Sequence, residues 1–142
     1  MLVTKNMDIQ GAAELHLDGV HCALSIKRHP GGVVILTISG TDIGEFGTRP
    51  MTALKECLAD IEPVHLFIDA RDVRGASISV SGDWAVWLRE QKAKLQNISM
   101  LAGSRYIEVT AGFVRRFAEL EGIMRIYTEP AAFDEAVGES LA

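Results

Sequence analysis

The stretch that decides the fold lies between residues 64 and 87 and reads VHLFIDARDVRGASISVSGDWAVW. Its apolar first part, Val64–Ile68, is typical of a strand buried on both faces. The charged residues after it predict the end of this strand and a loop. The sequence then becomes amphipathic, which predicts a helix from about Ser81 to Gln96. A helix N-terminus offers unpaired N–H groups and the positive end of the helix dipole. We therefore expect an anion or a partner's carboxylate to bind where the strand leads into the helix.

The candidate site combines serine, charged and aromatic residues from both sides of this junction. Its members are Asp69, Arg71, Asp72, Ser79, Ser81, Gly82, Asp83, Trp84 and Trp87. Ser79 and Ser81 are interpreted as helix caps, with a phosphate on Ser81 as the alternative. The charged members are interpreted as an ion-pair cluster that orders the loop, because no nucleophile and base accompany them. The two tryptophans are expected in the core, or lining a groove for an apolar ligand or partner, with Trp87 nearer the exposed side.

Outward from this stretch, hydrophobic periodicity predicts further strands and helices. Strands are predicted at residues 14–17, 20–27, 33–38, 98–102 and 123–127, and further helices begin near Thr48, Thr110 and Thr128. Asp18-Gly19 predicts a two-residue hairpin turn. The glycine-rich residues 40–47 do not have the spacing of a nucleotide-binding loop and predict a flexible loop. Residues 1–10 are interpreted as a loosely ordered lead-in.

These elements predict one α/β domain with a mixed sheet of about five to six strands, an N-terminal antiparallel hairpin and about four helices. The first of the further helices carries an apolar stripe that extends to Ile61, and Pro63 ends it. In the helix predicted at residues 110–121, Phe113 and Phe117 are expected to face the core, and Gly122 to end the helix.

Composition excludes several classes of protein. The chain has 142 residues, of which 48% are hydrophobic and 23% charged, as in an ordinary globular domain. The net charge of −5, with both signs interspersed, disfavours nucleic acid and anionic membranes as main partners. No apolar run approaches the ~20 residues of a transmembrane helix, so no integral membrane segment is expected. The first residues lack the pattern of a signal peptide, which predicts a cytoplasmic location.

The residues that usually bind metals are scattered. Cys22 and Cys57 lie among apolar residues and are expected to be buried, reduced thiols. The four histidines show no metal-binding spacing. We therefore predict no metal and no cofactor.

The order of elements resembles the STAS family of anti-sigma-factor antagonists, and within it the SpoIIAA-like branch, which is akin to CRAL-TRIO lipid-binding domains. Two motifs carry the resemblance, FIDARDV at residues 67–73 and SVSGDW at residues 79–84. The resemblance covers roughly residues 20–137 and implies a SpoIIAA-like fold. STAS antagonists are phosphorylated on the second serine of an Asp-Ser-Ser-Gly motif, which implies Ser81 here. The acidic residue and the first serine of that motif are replaced by Ser79 and Val80.

Two non-enzymatic functions follow as hypotheses. The first is a regulatory module that binds a protein partner through the loop and helix N-terminus at residues 79–87, with phosphorylation of Ser81 as its regulation. The alternative is a protein that binds a small apolar ligand or lipid in a pocket between the sheet and the Trp84 or Phe113 helix. An enzyme that uses Asp69 or Asp72 ranks last. A homodimer fits as well, because the hairpin leaves a sheet edge and natural edges are usually covered.

Overall fold

The computed structural model describes residues 3–4, 14–59 and 63–142. In these ranges seven strands form one sheet, and their order in space follows their order in the chain. The strands are β1 (Val3–Thr4), β2 (Glu14–Asp18), β3 (Cys22–His29), β4 (Val33–Asp42), β5 (Val64–Ala76), β6 (Leu95–Ala102) and β7 (Met124–Tyr127). The helices are α1 (Arg49–Leu58), α2 (Ile78–Gln91), α3 (Arg105–Phe117) and α4 (Pro130–Leu141), with a 3₁₀ turn at Lys92–Lys94.

The predicted α/β fold with a mixed sheet and an N-terminal antiparallel hairpin is confirmed. Strands β1 to β4 pair antiparallel, and β4 to β7 pair parallel. One α-helix lies in the connection between each two parallel neighbours, because parallel strands need a crossover connection. The hairpin connection has three residues, Gly19–His21, instead of the two predicted. The carboxylate of Glu45 accepts hydrogen bonds from the N–H groups of Val20 and His21 in this turn.

The two faces of the sheet are covered differently. Alternate strand residues point to opposite faces, and one face, with Leu36, Leu66 and Ile98, packs against α1, α2 and α3. The opposite face packs against α4, where Phe133 is 1% exposed and contacts the cluster formed by Val33, Phe67 and Leu101. Where α4 does not cover the second face of the sheet, the strands carry polar side chains on that face.

The prediction that a loop follows Val64–Ile68 is wrong, because β5 continues through the charged cluster to Ala76. Ala70 and Val73 face the core, whereas Asp72 is exposed. Polar residues are tolerated here because the helices α1 to α3 cover only one face of the strand. Strand β5 has 13 residues and β4 has 10, and two register shifts accommodate the extra residues of β5, so that Asp42 at the end of β4 pairs with Ala76. Residues 40–42, predicted as part of a loop, therefore belong to a strand.

Helix α2 begins before the predicted start. Ser77 is its N-cap, and the Ser77 side chain accepts a hydrogen bond from the N–H of Val80 at 3.1 Å. The interpretation of Ser79 and Ser81 as caps is therefore wrong, since both lie inside the helix. Strand β5 ends one residue before the cap, so the first serine after the strand takes the capping position.

Helix α3 also begins earlier than predicted, with Ser104 as its N-cap, and it ends before Glu119, which has a φ of 58°. The expectation that Phe113 and Phe117 face the core is wrong, because they are 62% and 55% exposed. The inward positions are held by smaller residues, including Ala111, which let the helix approach the sheet.

Two predictions fall partly or wholly outside the described residues. The first concerns Ile61, the last position of the predicted apolar stripe, which is not among the described residues. Of the predicted lead-in at residues 1–10, the structure describes only Val3–Thr4, whose backbone pairs with β2. The homodimer prediction was based on a free outer edge of the hairpin. At Leu17 and Asp18 this edge is paired with Val3–Thr4 of the same chain.

Candidate functional site

The site residues predicted from the sequence lie in several separate places. Ser81 and Trp84 line a cavity between the sheet and helices α2 and α3. Ser79 and Asp83, again with Trp84, line a neighbouring cleft. The others do not share either space: Gly82 is exposed on α2, Trp87 is buried at 7% exposure, and Asp69, Arg71 and Asp72 lie further along β5.

The cavity has a volume of about 90 Å³ and an almost wholly apolar lining. The sheet contributes Leu36, Ile68 and Met100, and the helices contribute Trp84, Leu88 and Ala111, among others. Asp42, Ser81 and Thr110 are the polar residues among those that line it. A water molecule inside would need two to four polar partners, and this lining offers few of them.

Small side chains create this space. Ala70 and Ala76 on β5 and Ala111 on α3 all line the cavity, and their short side chains leave space between the sheet and the helix. The ring of Trp84 stands at 82° to that of Trp87, with the ring centres 6.0 Å apart. Because Trp87 is fixed in the core, this edge-to-face contact holds the orientation of Trp84. The expectation that Trp87 lies nearer the exposed side is wrong, since Trp84 is the half-buried member of the pair.

Asp42 connects the cavity and the cleft, because its side chain contributes to the lining of both. It is the last residue of β4 and only 8% exposed. Its Oδ1 accepts a hydrogen bond from the N–H of Gly44 at 3.1 Å. Burial raises the pKa of the Asp42 carboxyl, and the negative charge of Glu45 adds to this increase, whereas the Gly44 hydrogen bond opposes it.

The cleft has a volume of about 280 Å³ and lies between the β4–α1 connection and the first turns of α2. Ser79 and Asp83 give it a more polar wall than the cavity has. Ser81 lies on the cavity side of α2, and its N–H already donates to the backbone oxygen of Ser77 at 3.0 Å. A phosphate on Ser81 would thus find this backbone donor occupied.

The charged cluster predicted on β5 forms an ion pair, but its partner comes from α4. Arg71 Nε donates to Asp69 Oδ1 at 3.0 Å, and Arg71 Nη2 donates to Asp134 Oδ1 at 2.5 Å. The hydrogen bond that Arg71 donates to Asp134, followed by the one that it donates to Asp69, raises the pKa of the arginine. The cluster therefore fastens α4 to the sheet, whereas it was predicted to order a loop. Asp134 has no signal in the sequence that would link it to residues so distant in the chain.

Asp42 and Thr110 are the polar cavity residues that the sequence analysis missed. Asp42 could have been found, because alternation along β4 places it on the same face as Leu36 and Ile38. Thr110 was interpreted as the start of a helix and lies inside α3 instead, where its Oγ1 donates to the backbone oxygen of Tyr106 at 3.0 Å.

An exposed apolar stripe runs along α3 and includes Tyr106, Val109, Phe113 and Phe117. Arginine guanidinium groups lie over two of its rings: Arg116 over Phe113 and Arg89 of α2 over Phe117, each 5.9 Å from the ring centre. Such cation–π contacts shield part of an exposed ring from water.

Within residues 14–59 and 63–142, no group of three or more His, Cys, Asp or Glu side chains could hold a metal ion. No helix in the described part of the chain is long and apolar enough to cross a membrane.

Comparison with known proteins supports the fold. No family model and no curated protein matches the sequence. Among solved structures, the chain is similar to an uncharacterised protein of the DUF3478 family with a SpoIIAA-like fold from Shewanella loihica PV-4. The TM-score is 0.60 at 15% sequence identity, over 84% of this chain and 96% of that chain. The fold is therefore SpoIIAA-like, as the resemblance in the sequence implied. The similarity to CRAL-TRIO domains remains an expectation.

Proposed function

We propose that this protein is a non-enzymatic binding module that holds a small apolar ligand between its sheet and helices α2 and α3. The observation that carries the proposal is the cavity of about 90 Å³ with its almost wholly apolar lining. Interiors are normally packed with few voids larger than a water molecule, because unfilled space costs contact energy. Small-ligand sites are concave and lined mostly by apolar and aromatic side chains, and this space has such a lining.

The cavity limits the size of the ligand. At about 30 Å³ for each water-sized group, it holds roughly three non-hydrogen groups. A longer molecule would extend past Asp42 into the cleft, which adds about 280 Å³. The expected ligand is thus a short alkyl or small cyclic compound, or the end of a longer chain.

The absence of an enzymatic activity is part of the proposal. Asp42 is the one ionisable side chain among the residues lining the cavity, and neither histidine, cysteine nor lysine lies beside it in that lining. The hydroxyls of Ser81 and Thr110 also line the cavity, but neither is hydrogen-bonded to Asp42 in the described structure, so no hydroxyl there is paired with a base that would activate it.

Xenon and cyclopropane test the proposal, because both are apolar and small enough for a cavity of about 90 Å³. We expect each to shift amide signals of β4, β5, α2 and α3 in nuclear magnetic resonance spectra, and to change the fluorescence of Trp84. The variant Ala111→Leu fills the cavity and should abolish both effects. Ala132→Leu, at an exposed position of α4, is the matched control and should retain them. Saturating cyclopropane and xenon without any shift in the wild type would refute the proposal.

A regulatory protein partner is the second candidate, and the exposed stripe on α3 is the observation that favours it. Ile78 at the start of α2 is a further exposed apolar residue, at 90% exposure. Large exposed apolar side chains that lie close together often mark protein contacts. A partner that copurifies from the native host should be lost in the variant Phe113→Ser and retained in Leu141→Ser, which alters an exposed apolar residue elsewhere. Equal retention by both variants would exclude this surface.

A further inference from the structure

The side chain of Asp42 is held rigidly at the border of the cavity. Its backbone pairs with Ala76 in the β4–β5 ladder, and its carbonyl oxygen accepts a hydrogen bond from the N–H of Ser77 at 3.0 Å. The Ser77 side chain caps α2, so the same short segment fixes Asp42 and the start of the helix. A group fixed in this way is preorganised to contact a ligand.

The carboxyl of Asp42 has hydrogen-bonding capacity left over. Of its two oxygens, Oδ1 accepts from Gly44, and Oδ2 accepts no hydrogen bond from any residue that the structure describes. A carboxylate can accept up to about four hydrogen bonds. Among the described residues no side-chain oxygen is both fully buried and unpaired, so Oδ2 is reached by solvent although the residue is only 8% exposed. This oxygen is therefore accessible to a donor from a bound molecule.

The surrounding charges select the kind of head group. Among the described residues that line the cavity or the cleft there is no lysine, arginine or histidine. Asp83 is on the cleft wall, and Glu45 acts on Asp42 from the β4–α1 connection. An anionic head group would be repelled by these carboxylates, whereas a hydroxyl or an ammonium group would be favoured.

We propose that the ligand of the cavity is an amphiphile with a short apolar body and a hydroxyl or amine head, and that Asp42 Oδ2 accepts the hydrogen bond of that head. This inference depends on the proposed apolar-ligand function and specifies its ligand class. The apolar body occupies the space beside Trp84 and Ala111. The head lies at Asp42, where the apolar cavity meets the more polar cleft, so both parts of the molecule find a suitable environment.

Four probes of equal size test the assignment: n-pentane, 1-butanol, n-butylamine and propionate each have five non-hydrogen atoms. Their affinities are measured by amide shifts in the wild type, Asp42→Leu and Asp42→Asn. The relevant quantity is the affinity of each polar probe relative to n-pentane in the same protein, because this ratio cancels the apolar contribution. Glu90→Gln, which removes an exposed carboxylate on α2, is the control.

We expect the preference for 1-butanol and n-butylamine over n-pentane to fall about tenfold or more in Asp42→Leu, since a hydrogen bond to a charged group has that value. Asp42→Asn keeps the shape of the side chain, so it remains informative if the leucine variant is poorly folded. It should weaken n-butylamine more than 1-butanol and should improve propionate binding. Glu90→Gln should leave all ratios unchanged.

The outcomes separate the two proposals. If all four probes bind and neither Asp42 variant changes their ratios, Asp42 does not contact the ligand, and only the head-group assignment is overturned. If propionate binds the wild type more tightly than n-butylamine, the head-group class is wrong. If neither the probes nor xenon bind, the apolar-ligand function itself fails, and the inference fails with it.

Discussion

Arg71 of β5 and Asp134 of α4 are 63 residues apart in the chain, yet the arginine Nη2 lies 2.5 Å from the aspartate Oδ1. Asp69 holds the same guanidinium from the strand side at 3.0 Å. This ion pair complements the apolar contact of Phe133 with the sheet, one residue earlier on α4. The helix is thus attached to the second face of the sheet both by packing and by charge.

The Arg71–Asp134 pair should contribute only modestly to stability. The two side chains are 33% and 57% exposed, so solvent screens their attraction. We expect Asp134→Asn to lower the free energy of unfolding by about 1 kcal/mol or less. Urea denaturation of the wild type, Asp134→Asn, Arg71→Met and the double variant measures the coupling. A coupling well above this value would mean that the pair is effectively shielded from water.

Two phenylalanines on different helices provide a matched pair of substitutions. Phe133→Ala should lower the free energy of unfolding by about 3–5 kcal/mol, because the buried ring leaves a cavity against Phe67 and Leu101. Phe113→Ala should cost less than about 1 kcal/mol, since its ring is 62% exposed and loses mainly its contact with Arg116. Similar losses in urea melts would contradict the assigned burial of α3 and α4.

The capping of α2 can be tested with neighbouring serines. Ser77→Ala removes the acceptor for the Val80 N–H and should cost about 1 kcal/mol. Ser79→Ala should be nearly neutral, because that serine is exposed inside the first turn. Thermal unfolding of both variants measures the difference. A larger loss for Ser79→Ala would place the start of the helix where the sequence alone had suggested.

Asp42 should make stability depend on pH. Its pKa is raised by burial above the ordinary value of 3.8, so the folded state binds the proton more tightly than the unfolded state does. Stability contributed by this group is therefore present below pH 3.8 and is lost as the pH rises through the folded pKa. Asp42→Asn has no such proton, so its stability relative to the wild type should increase from pH 4 to pH 7. Glu45 and the Gly44 hydrogen bond donor are present in both proteins. A stability difference that shrinks over this range would show that the pKa is lowered instead.

The sequence predicted the order of elements well because hydrophobic periodicity reports the face that each element buries. The strands around Ile26 and Leu36 were recognised in this way, and both residues are fully or almost fully buried. Hydrophobic periodicity did not predict the strand where helices cover only one face of it. The polar residues of β5 after Ile68 resemble a loop, although Ala70 and Val73 continue the buried face.

The candidate site was only partly predictable. Ser81 and Trp84 line the cavity, and Ser79 and Asp83 line the adjoining cleft, so the stretch chosen from the sequence borders both spaces. Asp42 was missed because the glycines around it suggested a loop. The cavity itself depends on several small residues that meet only in three dimensions, such as Ala70 and Ala111.

The order of the strands has a consequence for folding. Every strand of the sheet pairs with its neighbours in sequence, so no pairing requires closure of a loop that contains another strand. Because the entropy of loop closure rises with the length of the loop, this topology favours rapid growth of the sheet from one strand to the next. The lining of the cavity extends from Leu36 on β4 to Met124 on β7. The cavity is therefore complete only after the last crossover has formed, and ligand binding would report the end of folding.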